Sequence, residues 1–342
     1  MKILVTGGSG FIGSNLVRLL LKSRENSIIN VDKLTYSGRL ENLEDIQKNK
    51  NYNFYQVDIC EQEKIYNLLL KYKPDCIFHL AAESHVDRSI SSPYNFMKSN
   101  IMGTYHMLEA TRSYLSEVKT NNEEFKFIYV STDEVYGSLE KDDALFDENS
   151  NFLPNSPYSA TKAAGNHLVR SYFKTFKLPT ISTMCSNNYG PYQYPEKLIP
   201  VIIKKAINGE KIPIYGKGEQ IRDWIYVDDH VNALYKVAIS GIIGSNYNIG
   251  SQNEIANIDL AKLICDCLDN KFNKKKLKSN INFNSFKELI TFVEDRPGHD
   301  FRYAINSNKI NYDIGWKPKV SFEDGINKTI DWYLENLDWL NG

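Results

Sequence analysis

Apolar residues in the first half of the chain fall into short runs, separated by longer stretches in which they recur every three or four positions. Ile3-Leu4-Val5, Ile28 to Val31, Tyr52 to Val57, Cys76 to Leu80 and Phe125 to Val130 predict buried strands. Phe11 to Lys22 carries Ile12, Leu16, Leu19 and Leu20 on one stripe and predicts a helix; Glu61 to Lys71 and Asn95 to Ser116 do the same. Parallel strands need crossovers of this length, so the pattern predicts an α/β fold with a doubly wound parallel sheet of Rossmann type. Beyond about Thr180 the chain is richer in Tyr, Pro, Gly and Asn, and the alternation loses its regularity. The expected division is a first domain over 1–180 and a smaller C-terminal substrate-binding lobe over 181–342, with some segments of the lobe returning to the first domain.

Composition narrows the function classes. Lys and Arg number 41 against 42 Asp and Glu, a net charge of -1, so no basic field exists to displace counterions from nucleic acid. An anionic ligand must be met by local groups. Five Cys with no paired CxxC support neither a disulfide framework nor a zinc site, and no metal is expected. No apolar run approaches the roughly 18 residues that span a bilayer. The apolar start Met1 to Thr6 breaks at Gly7, before a signal-peptide core could form, so a cytoplasmic location is expected.

Gly8-Ser9-Gly10-Phe11-Ile12-Gly13 satisfies GxGxxG, and Gly7, Gly10 and Gly13 satisfy GxxGxxG, both between a strand and a helix. Glycines there let the backbone and the helix N-terminus approach a pyrophosphate. Asp32 follows Gly13 by 19 residues, at the end of the next strand, where a carboxylate accepts from a ribose and repels a 2'-phosphate. NAD is therefore expected rather than NADP. Tyr158 and Lys162 lie four apart just after Pro157, which suits a first helical turn, so both side chains share one face. Bringing a phenol from about 10 to neutrality needs roughly 4 kcal/mol, which a neighbouring ammonium and a positive nicotinamide are expected to supply.

With the strand end Ser131-Thr132, Asp58-Ile59 and Leu80-Ala81-Ala82 in the same order, the chain resembles the extended short-chain dehydrogenase/reductase family. The run Ser131-Thr132-Asp133-Glu134 narrows the resemblance to its nucleotide-sugar dehydratases. Two adjacent carboxyls are unnecessary for simple alcohol oxidation, but suit an acid and a base that eliminate water once a hexose C4 has been oxidised. Longer blocks extend the likeness from Met1 to about Leu340: Leu80 to Ser89, Cys185 to Pro191, Pro195 to Pro200, Pro213 to Gly218, Ile221 to Trp224 and Asp295 to Asp300. Ser138 to Ser150 and Asn270 to Asn282 depart from the pattern, the first by being short.

The resemblance implies that Thr132 holds the C4 oxygen, Asp133 is the acid at C6, Glu134 the base at C5 and Tyr158 the base for the C4 hydroxyl, with Lys162 orienting the nicotinamide ribose. It implies NAD contacts from Gly7, Gly10, Phe11, Ile12, Gly13, Asp32, Lys33, Leu34, Thr35, Asp58, Ile59, Leu80, Ala81, Ala82, Ser84, Ser99 and Asn188. On the nucleotide-sugar side it implies Ser84, Asn187, Lys197, Leu198, Pro213, Ile214, Tyr215, Arg222, Asn257, Arg296 and His299, with Arg222 and Arg296 as a diphosphate clamp. The expected substrate is dTDP-glucose and the expected assembly a homodimer built on the helices after Asn95 and Tyr158. The rival readings are a dehydratase or epimerase acting on a UDP-sugar, which Asp133-Glu134 disfavours in the epimerase case, and a non-catalytic dinucleotide sensor, which would not need Tyr158 and Lys162. Asp228-Asp229-His230 reads as a helix opening rather than a metal site. His79 reads as a hydrogen-bonded core residue, Trp332 and Trp339 as docking a C-terminal helix, and Lys271 to Lys278 as a solvated insertion.

Overall fold

The alternation of apolar strand runs with one-sided helices resolves into a parallel sheet with both faces covered. A computed structural model describes residues 1–118, 125–274 and 283–341. Seven strands run in the order Asn246–Ile249, Thr180–Cys185, Lys126–Thr132, Cys76–His79, Lys2–Thr6, Ser27–Asp32, Tyr52–Gln56, every pair parallel. Successive strand residues alternate between faces. Ile3, Val5, Ile28 and Phe78 pack with Leu16, Leu20, Val231 and Leu234 on one side, while Leu4, Ile29, Ile77 and Phe127 pack with Leu69, Met107, Tyr114 and Val169 on the other. The strand order reverses between Lys2–Thr6 and Cys76–His79, so a crevice opens beyond their carboxyl ends.

The second half contributes both to this sheet and to a separate lobe. Ile221–Tyr226 is flanked by Glu254–Ala256, Arg302–Tyr303 and Asn187–Tyr189, and Ile212–Tyr215 pairs with Ile290–Val293. These strands share an independent core of Ile199, Ile203, Leu260, Ile264, Phe286 and Ile330. Trp332 and Trp339 pack with ring centroids 5.0 Å apart, and the Trp339 indole donates to Asn42 Oδ1 at 2.9 Å. That contact ties the C-terminal helices to the first domain, as the spacing of the two tryptophans predicted.

The helix expected over Asn95 to Ser116 is three pieces: Pro93–Phe96, a π-helical turn Met97–Gly103, and Thr104–Val118. The wide turn places Asn100 inward. Its amide pairs with both backbone groups of Glu83 and donates to Thr161 Oγ1 at 2.9 Å. Side-chain hydrogen bonds over 17 and 61 residues of sequence have no local signature. Asp228 and Asp229 stand in the first turn of helix Val227–Ser240, Asp229 accepting from the backbone of Lys319 and Val320. Ser138 to Ser150 is tied down: Leu139 bridges Arg302, Phe146 bridges Ile305, and the Phe146 ring stacks on Tyr136. Residues 275–278 of the solvated insertion expected over Lys271 to Lys278 lie outside the described residues. Among the described residues no helix is long and apolar enough to cross a membrane.

Candidate active site

The crevice at the strand-order reversal is the cleft that gathers most of the expected residues. Gly7 turns the chain at φ +72, and a Cβ there would meet Ala81 N at 2.7 Å. At Gly13 a Cβ would meet Gly7 O at 2.1 Å, so glycine there lets helix Phe11–Leu21 close on the strand. At Gly10, by contrast, a Cβ would meet only Gly7 O, at 3.4 Å. No side chain caps the helix at Gly10, so its first-turn N–H groups are free to bind an anion. Asp32 accepts from Ser9 N at 3.0 Å and Leu34 N at 2.9 Å, while burial raises its carboxyl above the usual range. The open glycine cradle and this fixed carboxylate fit NAD. Phe11, Ile12, Lys33, Thr35, Ile59, Leu80, Ala81, Ala82, Ser84, Ser99 and Asn188 complete the wall. Leu34 and Asp58 stand behind it, Asp58 accepting from Cys60 N at 2.9 Å.

The carboxyl end of Lys126–Thr132 carries the expected catalytic residues Thr132, Asp133 and Glu134. Thr132 caps the short helix Asp133–Tyr136, accepting from Glu134 N at 3.3 Å. Asp133 and Glu134 are therefore held at the edge of the sheet, each with one buried oxygen that has no hydrogen-bond partner. Burial pushes Asp133 well above the carboxylate range, with the charges of Glu134 and Asp223 adding in the same direction. Glu134 is also raised by burial, but Arg296, Lys197 and Arg222 hold it back. The two neighbours thus differ in proton affinity. Tyr158 and Lys162 lie on helix Pro157–Phe176, opened by Pro157 and a capping box of Ser156 and Ser159. The expected stabilisation of the Tyr158 phenolate by Lys162 is not found. Lys162 Nζ donates to the Val130 carbonyl at 2.7 Å and is pushed down to about 7 by burial. Burial and the nearby Glu134 instead raise the Tyr158 phenol well above its usual value.

Asn187 and Lys197 also line the cleft, Lys197 donating to the Ser84 carbonyl at 2.6 Å. The remaining nucleotide-sugar candidates belong to the second lobe, Arg222 and Arg296 near enough to Glu134 to act on its carboxyl. Leu198 opens helix Leu198–Ile207; Pro213, Ile214 and Tyr215 form a strand; Asn257 keeps a buried, unpartnered Oδ1. Arg222 is less open than a phosphate clamp would be. Its guanidinium donates to the carbonyls of Ile221, Asp300 and Phe301 and stacks 4.2 Å over Tyr303. Arg296 has a buried, unpartnered Nε, and His299 Nδ1 meets Asp295 Oδ1 at 2.6 Å.

Sequence reasoning missed a group of polar residues at the mouth of the cleft. Tyr36 donates to Glu196 at 3.0 Å, and Arg88 stacks 3.6 Å over the Tyr36 ring. Asp87 reaches Arg296 and Tyr215. Glu196 and Asp87 fall inside blocks that carried the family likeness, but their partners are 128 to 209 residues away in sequence.

Comparison with known proteins identifies the family. The family described as GDP-mannose 4,6 dehydratase matches residues 4–329. A dTDP-glucose 4,6-dehydratase of Salmonella typhimurium is 51% identical over 352 residues, covering 100% of this chain and 95% of that one. The crystal structure of a dTDP-glucose 4,6-dehydratase from Bacillus anthracis in complex with NAD superposes with TM-score 0.86 at 41% identity, covering 99% of this chain and 98% of that one. A dTDP-glucose 4,6-dehydratase from Streptomyces venezuelae with NAD bound gives TM-score 0.89 at 37% identity, with 99% and 98% covered. With the glycine cradle, Glu134 and the Tyr-Lys helix lining one cleft and Asp133 buried next to Glu134, the chain belongs to the GDP-mannose 4,6 dehydratase family, among its dTDP-glucose 4,6-dehydratases.

Proposed function

We propose that this protein is an NAD-dependent hydro-lyase that converts dTDP-glucose to dTDP-4-keto-6-deoxyglucose and water. The observation that carries the reading is the consecutive pair of a buried Asp133 and a half-buried Glu134, each with a buried, unpartnered oxygen, and held at unequal proton affinity. A simple alcohol dehydrogenase has no use for such a pair. Asp133, the more strongly raised, keeps its proton and delivers it to the departing C6 hydroxyl. Glu134, faced by three cations, is the base that removes the C5 hydrogen. Thr132 binds the C4 oxygen, Tyr158 exchanges the C4 hydroxyl proton, and Lys162 orients the ribose. NAD, when bound, takes the C4 hydride and returns it to C6, and its positive ring favours the phenolate.

Gly7, Gly10, Phe11, Ile12, Gly13, Asp32 to Thr35, Asp58, Ile59, Leu80 to Ala82, Ser84, Ser99, Tyr158, Lys162 and Asn188 hold NAD; Ser84, Thr132, Asn187, Lys197, Leu198, Pro213 to Tyr215, Arg222, Asn257, Arg296 and His299 hold the nucleotide sugar. The division is thus a cofactor and catalytic domain over 1–180 and a mainly substrate-binding lobe over 181–342. The five free cysteines suit a cytoplasmic enzyme. Incubation with dTDP-glucose and UDP-glucose, followed by mass spectrometry, tests the reading. Loss of 18 Da from dTDP-glucose is expected; unchanged mass, or dehydration of UDP-glucose alone, overturns it.

A further inference from the structure

Of three side chains expected to meet the nucleotide sugar, Tyr215 ends the strand Ile212–Tyr215 of the second lobe, and Arg296 and His299 lie in the loop after its partner strand Ile290–Val293. Asp87, on the short helix Val86–Ser91 of the first domain, reaches across the lobe boundary to two of them. One carboxylate oxygen accepts from Arg296 Nη1 at 3.1 Å, the other from the Tyr215 hydroxyl at 2.9 Å. Asp295 holds the third, accepting from His299. Arg296 is consequently gripped by one terminal nitrogen, while its Nε stays buried and unpartnered.

We propose that Asp87 is a positioning residue for nucleotide-sugar binding, anchoring Arg296 and Tyr215 across the lobe boundary so that the free edge of the guanidinium meets the substrate diphosphate. The proposal rests on the functional reading above. Several observations support it. A planar guanidinium held by one terminal N–H is fixed in orientation but keeps donors for a second anion. Asp87 is itself more than a third exposed, and an ion pair of that kind adds little to folding stability. Its two contacts therefore have more effect on geometry than on stability. Burial would raise the Asp87 carboxyl, yet the hydrogen bonds from Arg296 and Tyr215 outweigh it and hold the group below its usual value. The carboxylate stays charged across the working pH range and keeps both partners.

Titration calorimetry with dTDP on the NAD-loaded protein tests this. Asp87→Asn retains one acceptor and turns an N–H toward the other donor, so Kd for dTDP should rise about tenfold, the effect of one lost charged hydrogen bond. In a Tyr215→Phe/Arg296→Ala background the same substitution should change Kd less than twofold, since the groups it positions are gone. Asp87→Glu should recover part of the loss. NAD content and melting temperature should match the unmodified protein in Asp87→Asn, which separates positioning from misfolding. Unchanged dTDP affinity in Asp87→Asn, or a full tenfold loss persisting in the double background, overturns the proposal while leaving the dehydratase reading intact. An unmodified protein that fails to bind dTDP overturns both.

Discussion

Asp133 shows how one residue trades stability for chemistry. A buried carboxyl whose folded-state proton affinity is raised stabilises the fold only while it can stay protonated. That contribution is present below the unfolded value of 3.8 and is lost as pH rises through the folded value. Asp133→Asn removes the ionisable group from a site where burial and Glu134 oppose its charge, so the variant should melt higher, by about 2–4 °C near neutral pH in differential scanning calorimetry. The same amide cannot protonate the leaving hydroxyl, and dehydration should fall about 10²- to 10⁴-fold. Oxidation at C4 should survive, so NADH absorbance accumulates in stopped flow. Tyr158→Phe should do the reverse and suppress the first absorbance change. Glu134→Gln should oxidise C4 yet fail to exchange the C5 hydrogen with deuterium. Equal loss of NADH formation in all three variants would contradict the assigned roles.

At the scale of elements, buried histidines join strands to helices. His79 at the end of Cys76–His79 links Thr6 Oγ1, at 2.7 Å, to Thr104 Oγ1, at 3.1 Å, and so ties the strand before the glycine cradle to the helix after the π-turn. His230 at the start of Val227–Ser240 meets Asn188 Oδ1 at 2.8 Å beneath the cleft. Burial pushes both down to about 3. Depressed folded values mean that the unfolded chain binds these protons first. Stability should therefore fall as pH drops below about 6.5, by up to about 1.4 kcal/mol per pH unit for each histidine. His85 and His299 are lowered too and add in the same direction. Urea midpoints between pH 5 and 7 measure the slope, and His230→Asn should make it shallower. Such links were only half legible beforehand: a histidine inside an apolar strand marks a core polar group, but its partners lie 25 and 73 residues away.

For the whole molecule the relevant surface is the outer face of the helices that cover the sheet near Tyr158. Ile90, Tyr94, Met97, Met102, Tyr105 and Phe176 are all exposed there, Tyr94 to 74%. A cluster of large apolar side chains on one face is the surface that a second copy would bury. We infer a homodimer through these helices. Tyr94→Glu combined with Met97→Glu should give a monomer by light scattering at micromolar concentration, with NAD still bound; a double variant that remains dimeric would place the seam elsewhere.

The sequence alone determined the fold class and the cofactor cradle, because each is written in local spacing, while the roles proposed for Thr132, Asp133, Glu134 and Tyr158 came from the family resemblance. Apolar runs of strand and helix length dictate the parallel sheet. Gly7, Gly10 and Gly13 sit where strand meets helix, and Pro157 opens the turn that puts Tyr158 and Lys162 on one face. Tertiary structure decided how those groups behave. Burial, which no spacing encodes, raises Tyr158 and Asp133 and lowers Lys162. The carbonyls around Arg222, the pairing of Asp87 with Arg296 and the bond from Tyr36 to Glu196 join segments far apart in the chain. Desolvation and long-range hydrogen bonds depend on which surfaces meet after folding, so they become definite only when both lobes close on the cleft.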